Sequence, residues 1–272
     1  METSAKDLIY LYCITKAKPH YADLQKTGIK VYPIYSQGIY AIVSKVSESK
    51  FSEDNLKKKL TDMSWVEKNV RQHEDLVEAI MEETTVLPFK FASVFRTEKN
   101  VEKLLKEHNA EFKKIIADLE NTDEWGLKIY CNSEQLKALL EEKNELIREK
   151  TQEITSSGKG KAYFLKKKRD ELIRNMLNEK ISEYTQNSFE KLKKMSSRAK
   201  INKILPKEVT EKKEDMVLNS AFLVNKKLII GFNHALVNLK TKYFDKGLSF
   251  DCSGPWPPYN FCSIRGNEEK HG

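Results

Sequence analysis

Two stretches of this chain spell out the same succession of strands and helices. In the first, Asp7–Ile14 is an apolar, aromatic-rich strand, followed by a short helical or turn segment at Pro19–Lys26. Ile29–Tyr35 and Gly38–Ser44 read as two strands joined by Ser36-Gln37, a hairpin. From Ser52, a candidate N-cap, to Glu83, the residues Leu56, Leu60, Met63, Val66, Val70, Leu76, Val77 and Ile80 form one helical face. Thr85–Phe91 closes as a strand. Its Pro88 cannot donate to a ladder and so belongs on an edge or at a bulge.

After a helical connector at about Asn100–Leu119 the order returns. Trp125–Cys131 is a strand, and Ser133–Arg198 holds a long helical region. Lys200–Leu205 and Met216–Val224 can form two strands. Leu228–Phe244 reads as a helix with Gly231 a weak point near its start, and Leu248–Cys252 is a final strand. The order β-α-β-β-α-β, read twice, is that of the ferredoxin-like split βαβ unit. The expected fold class is α+β: two tandem ferredoxin-like domains, the second with a greatly extended helical hairpin. The expected boundaries are 1–95, a helical connector at 96–122, a second domain at 123–264 with its long helices at 133–198, and a flexible tail at 265–272. A length of 272 residues suits two domains of about 150 residues each.

The first strand sharpens this picture. Leu8, Tyr10, Tyr12 and Ile14 alternate with Ile9, Leu11 and Cys13, so both of its faces are apolar. A half-solvated antiparallel strand would alternate apolar with polar. The sheet face that a ferredoxin-like unit leaves open is therefore expected to be covered, by the other domain or by a partner.

Charge is distributed just as unevenly. The chain carries 48 Lys and Arg against 40 Asp and Glu, a formal charge of +8. Residues 158–207 alone hold fifteen basic and five acidic residues, a net +10, so the remainder sums to −2. A single basic segment is a local surface, not a general affinity for polyanions. Within it, Ile173, Leu177, Ile181, Tyr184, Ser188, Leu192 and Met195 mark one helix face with one polar interruption. Leu136, Leu139, Leu140, Ile147 and Ile154 mark a helix upstream, and Ser156 to Gly160 can turn the chain between the two.

No constellation for catalysis assembles. The five histidines are scattered, without H-E-x-x-H or zinc spacing. Gly158-Lys159-Gly160 lacks the upstream glycine and the following Ser or Thr of a phosphate loop. Catalytic, cofactor and metal residues are accordingly expected to be none. Cys13 and Cys131 read as buried hydrophobes, whereas Cys252 and Cys262 could pair only if a turn joined them in an oxidising setting. No stretch reaches the roughly 18 apolar residues of a membrane span. The short apolar run from Leu8 to Ile14 reads as a strand and not a signal peptide, which points to a cytosolic protein. Nucleic-acid or phosphate binding by the basic helices on ferredoxin-like sheets is the competing class. The nearest RNA-recognition stretch, Gln37 to Val43, has Ile39 where the first stacking aromatic should stand.

The most unusual stretch is Gly254-Pro255-Trp256-Pro257-Pro258-Tyr259-Asn260-Phe261. Its prolines forbid helix and central strand and favour an extended presentation of Trp256, Tyr259 and Phe261. Two roles fit the residues equally: an internal latch folded onto the protein's own core, or a docking ledge for an apolar partner.

That octet resembles the C-terminal signature of the GvpF/GvpL gas vesicle protein family. Val86-Leu87-Pro88-Phe89-Lys90-Phe91 with Val94-Phe95 resembles the family's V-L-P-x-[RK]-F…V-F segment, and Glu124-Trp125-Gly126-Leu127-Lys128 its E-W-G-x-K strand. His73-Glu74 is similar to a further family pairing. At Ala92-Ser93 the chain departs from members that often carry a glycine. The resemblance implies a two-domain α+β, non-enzymatic accessory or minor structural protein of gas vesicles, found in gas vesicle and cytoplasm. It further implies the small hydrophobic shell protein and other vesicle accessory proteins as partners, with no cofactor, no specific nucleic acid and no membrane. The expected protein-binding residues are Trp256, Pro257, Pro258, Tyr259 and Phe261 on the ledge, with Tyr10 and Tyr12 on the first sheet.

Overall fold

The computed structural model describes residues 7–20 and 28–262. Most of the Pro19–Lys26 segment and the whole 265–272 tail lie outside them. The protein is a mixed α/β chain with two antiparallel sheets, divided into two compact units. Glu124–Gly254 forms one unit; the residues up to Asp123 form the other, together with those from Pro255 onward.

The first unit is built on β1 (Asp7–Thr15), β2 (Val31–Ser36), β3 (Ile39–Ser47), β4 (Val86–Pro88) and β5 (Val94–Phe95). Their order is β2-β3-β1-β4, with β5 also pairing β1. The hairpin turn falls one residue later than the sequence suggests, at Gln37-Gly38. Both have positive φ (47° and 82°), the two-residue geometry that matches strand twist. Pro88 sits on the sheet edge, as its missing donor requires. Beyond it the chain bends through Lys90–Ser93 and pairs again with β1 through β5. Phe89 N–H donates to the Tyr12 carbonyl, and Leu11 N–H to the Ser93 carbonyl.

Both faces of this sheet are covered by helices of the same unit. Ile9, Leu11 and Ile14 pack in a core with Val101 and Leu105 of α4 (Glu98–Glu107) and Phe112 and Ile116 of α5 (Asn109–Leu119). Tyr10, Tyr12 and Cys13 pack in another with Leu76, Val77 and Ile80 of α3 (Met63–Glu83). Strict alternation would send Cys13 to the Leu11 face and Ile14 to the Tyr12 face. A register shift between Leu11 and Cys13 reverses them, because one extra residue in a strand swaps the face of all that follow.

The single helix expected over Ser52–Glu83 is two, α2 (Glu53–Lys59) and α3, preceded by the short α1 (Glu48–Phe51). The break falls before Asp62, whose carboxylate accepts from Ser64 N–H and Trp65 N–H and caps α3. That bond is made only if the chain leaves helical geometry at Asp62.

The second unit holds β6 (Thr122–Cys131), β7 (Arg198–Ile201), β8 (Asp215–Asn225) and β9 (Leu248–Trp256) in the order β7-β8-β6-β9. Counted along the chain, each sheet thus places its strands second, third, first, fourth. The helices are α6 (Ser133–Lys143), α7 (Glu145–Thr155), α8 (Lys159–Lys193), the short α9 (Lys207–Thr210) and α10 (Ile229–Phe244). Asn144 divides the expected upstream helix by capping Ile147 N–H. The stripe on α8 is core, as its spacing predicts: Tyr184 and Leu192 are buried, with Leu177, Ile181 and Met195 against them. Ser188, its polar interruption, is fully buried, and its hydroxyl donates to the Tyr184 carbonyl at 2.7 Å, so no donor is stranded. Gly231 is where Met195 packs. A Cβ there would lie 2.9 Å from the Met195 methyl carbon.

Candidate functional site

In the first unit the segments carrying the most distinctive sequence meet at one histidine. His73 is 3% exposed and stands on the apolar face of α3. Its Nε2 is 3.1 Å from the Phe89 carbonyl oxygen. A carbonyl only accepts, so Nε2 carries the proton and donates. Nδ1 is therefore an acceptor and takes the Tyr10 hydroxyl proton at 3.0 Å. The Tyr10 oxygen in turn accepts the Ala92 N–H at 2.8 Å. A directed chain thus runs from Ala92 through Tyr10 and His73 to Phe89, tying β1 and α3 to the turn beyond β4. The Tyr259 hydroxyl lies 3.1 Å from the same Nε2 and shares its proton as a second acceptor.

Rings enclose this chain. Tyr12 stacks on His73 with centroids 5.5 Å apart, and Phe91 meets His73 edge-on at 6.1 Å. Phe51 packs edge-on against Tyr10 at 5.5 Å. The enclosure sets the proton affinities. Burial pushes the His73 imidazole down to about 4, against the upward pull of its bond to Phe89. Burial likewise raises the Tyr10 phenol, opposed by the Ala92 bond. The Tyr259 phenol is raised by burial first and then by the charge of Glu74. At neutral pH the cluster is uncharged. Its geometry holds a segment in place, and burial raises the Cys13 thiol packed beside it. Among the described residues no group of three His, Cys, Asp or Glu could hold a metal ion.

The octet divides at this site. β9 runs on through Gly254 and Pro255 to Trp256 along a sheet edge, a strand position that tolerates proline. After Pro258 the extended course ends. Tyr259–Phe261 is a 3-10 turn, with Phe261 N–H donating to the Pro258 carbonyl and the Cys262 thiol donating to the same oxygen. Pro257, Pro258 and Phe261 are buried, and Tyr259 is half-buried against His73. Trp256 is 40% exposed. Tyr10 and Tyr12, expected on a partner-facing sheet surface, are interior at 2% and 5% exposure because α3 covers that face. Among the described residues no disulfide forms.

His73 is the residue that sequence reasoning missed as the organiser. The signal was present. It lies three positions after Val70 and three before Leu76, on the apolar stripe itself, and a histidine there needs buried partners.

In the second unit two further motif segments meet. Gly254 has φ of +134°, and a Cβ on it would lie 2.8 Å from the Glu124 carbonyl oxygen and 3.2 Å from the Trp125 ring. A Cβ on Gly126 would lie 3.4 Å from the Ser253 hydroxyl. The two glycines let β6 and β9 approach where a side chain would part them.

Fold and site together describe a two-sheet α/β protein whose C-terminal aromatic segment is held in its first unit. Among the described residues no helix is long and apolar enough to cross a bilayer. Residues 8–263 match the gas vesicle synthesis protein GvpL/GvpF family, and the chain belongs to it. Gas vesicle protein L from a Streptomyces species is 22% identical over 264 residues, covering 96% of this chain and 95% of the relative. The crystal structure of the gas vesicle protein GvpF from an Anabaena species superposes with a TM-score of 0.71 at 20% identity, covering 95% of this chain and 99% of that one. GvpF from Microcystis aeruginosa gives 0.64 at 19% identity, covering 94% and 99%. At these identities the structures establish a shared fold.

Proposed function

We propose that this chain is a non-enzymatic accessory or minor structural protein of gas vesicles, working in the cytoplasm and on the vesicle. It binds the small hydrophobic shell protein, and other vesicle accessory proteins, while vesicles nucleate and grow. Its two units are ferredoxin-like, a reading that the repeated strand order supports. Family membership supports the vesicle role, and the presentation of Trp256 is the observation that carries the binding role. The indole is 40% exposed between an edge strand and two buried prolines, so its backbone is held before any partner arrives. A stiffly presented aromatic loses little conformational freedom on binding. A shell protein with a water-repelling surface would aggregate before assembly, and an adaptor must offer it apolar contact while staying soluble itself.

Co-purification with the shell protein tests this. Trp256→Ala is expected to stay cooperatively folded with a thermal unfolding midpoint lowered by several degrees, since the residue is 40% exposed and its covered part is lost. It should lose most of the captured shell protein and reduce co-flotation with purified vesicles. Full capture by the folded variant would overturn the role given to Trp256. Absence of capture by the unaltered chain would overturn the adaptor reading itself.

A further inference from the structure

The N-terminal part of α8 carries surface that the Trp256 site does not use. Tyr163 is 76% exposed and Phe164 57%, and Leu146 on α7 is exposed as well. The helix turns Leu165, Leu172 and Ile173 inward, so the two aromatics lie on its outer side. Around them Lys159–Arg174 contains seven Lys or Arg against two Asp or Glu. Lys161 pairs with Glu153 of α7 at 3.5 Å, and Arg169 with Asp170 at 3.1 Å. Lys166 and Lys167 make no ion pair among the described residues. Adjacent exposed rings set in net positive charge form an apolar centre with a mainly cationic rim.

We infer that this end of the α7–α8 hairpin docks an acidic protein segment that carries apolar anchors. Charge complementarity selects the acidic partner, and Tyr163 and Phe164 supply the contact that would desolvate the pairs. A nucleic acid fits less well. Asp170 and Glu171 stand exposed within the patch and repel phosphate. The Lys168 ammonium sits 4.7 Å from the Phe164 ring centroid, over a face that a stacking base would need. The inference stands apart from the role of Trp256 and fails separately from it.

The probe is a labelled helical peptide of about twenty residues, with leucines along one face and glutamates flanking them. A twin has lysine at every glutamate position. Fluorescence anisotropy on the full chain should show binding of the acidic peptide that weakens as salt rises from about 0.05 to about 0.3 M. K166E/K167E/K168E should weaken it about tenfold or more, and Y163S/F164S about fivefold at unchanged charge. All five positions are exposed, so thermal unfolding should be unaltered, which confirms that each variant is folded. The lysine twin should not bind. Unchanged affinity in Y163S/F164S would reduce the effect to bare electrostatics and overturn the inference. So would tighter binding of an RNA duplex or of phosphatidylserine vesicles than of the acidic peptide.

Discussion

The Tyr259 hydroxyl lies 3.1 Å from His73 Nε2, across 186 positions of sequence. This bond fastens the C-terminal segment to α3, yet the hydrogen-bond directions make it the dispensable member of its cluster. His73 Nε2 also donates to the Phe89 carbonyl, so Tyr259→Phe leaves that donor satisfied. Tyr10→Phe instead strands two groups at once, the Ala92 N–H and the His73 Nδ1 acceptor. Urea unfolding should therefore rank the two changes. Tyr259→Phe should cost less than about 1 kcal/mol and Tyr10→Phe about 2–4 kcal/mol. The reverse ranking would show that the proton assignment at His73 is wrong.

Acid should loosen the same cluster. Burial holds the folded His73 at about 4, below its ordinary 6.5. A base with a depressed folded value is neutral in the fold and takes up its proton more readily when unfolded. Its contribution is fully present above pH 6.5 and is lost as pH falls from there towards 4. Between pH 7.5 and 5 the linkage amounts to about 2 kcal/mol. His73→Phe should be less stable at neutral pH and should lose about that much of the pH dependence. Paired urea titrations of both proteins at the two pH values measure the difference and cancel the carboxylates they share.

Gly254 separates a glycine that the fold requires from one that it merely tolerates. Any Cβ there meets the Glu124 carbonyl oxygen at 2.8 Å, from a backbone at φ +134°. Gly254→Ala should cost about 2–4 kcal/mol, because neither the strand nor the carbonyl is the movable end of a side chain. Gly160, in the first turn of α8, has nothing within 4 Å of the place a methyl group would take. Gly160→Ala should raise stability by up to about 1 kcal/mol through helix propensity. Differential scanning calorimetry of the pair should move in opposite directions.

What could be read in advance followed from periodicity. Among the described residues the succession of strands, the edge position of Pro88 and the buried stripe of α8 all depend on local spacing, and the structure places them accordingly. The departures have local causes that compete with periodicity. Asp62 and Asn144 interrupt continuous apolar stripes because a capping side chain bonds its own backbone only outside the helix. The bulge after Leu11 exchanges Cys13 and Ile14 between faces with no mark in the residues themselves. The division of the octet was not readable, because the group that holds Tyr259 sits on another helix. Only the anomaly of a histidine on an apolar stripe pointed to it.

Ala92 carries the last of these relationships, in the turn between β4 and β5. Its φ is +65°, in the left-handed region, and an L residue there costs about 1–2 kcal/mol. The turn is held nonetheless, by the Ala92 N–H bond to Tyr10 and the Ser93 N–H bond to the Lys90 carbonyl. Ala92→Gly keeps both backbone donors and removes the strain. It also frees the unfolded chain, which offsets about 0.4–1 kcal/mol of the gain. The net expectation is a stabilisation of about 0.5 kcal/mol and a rise of about 1–2 °C in the unfolding midpoint. A fall of similar size would mean that unfolded-state entropy outweighs the strain at this turn, and that the alanine is the better residue there.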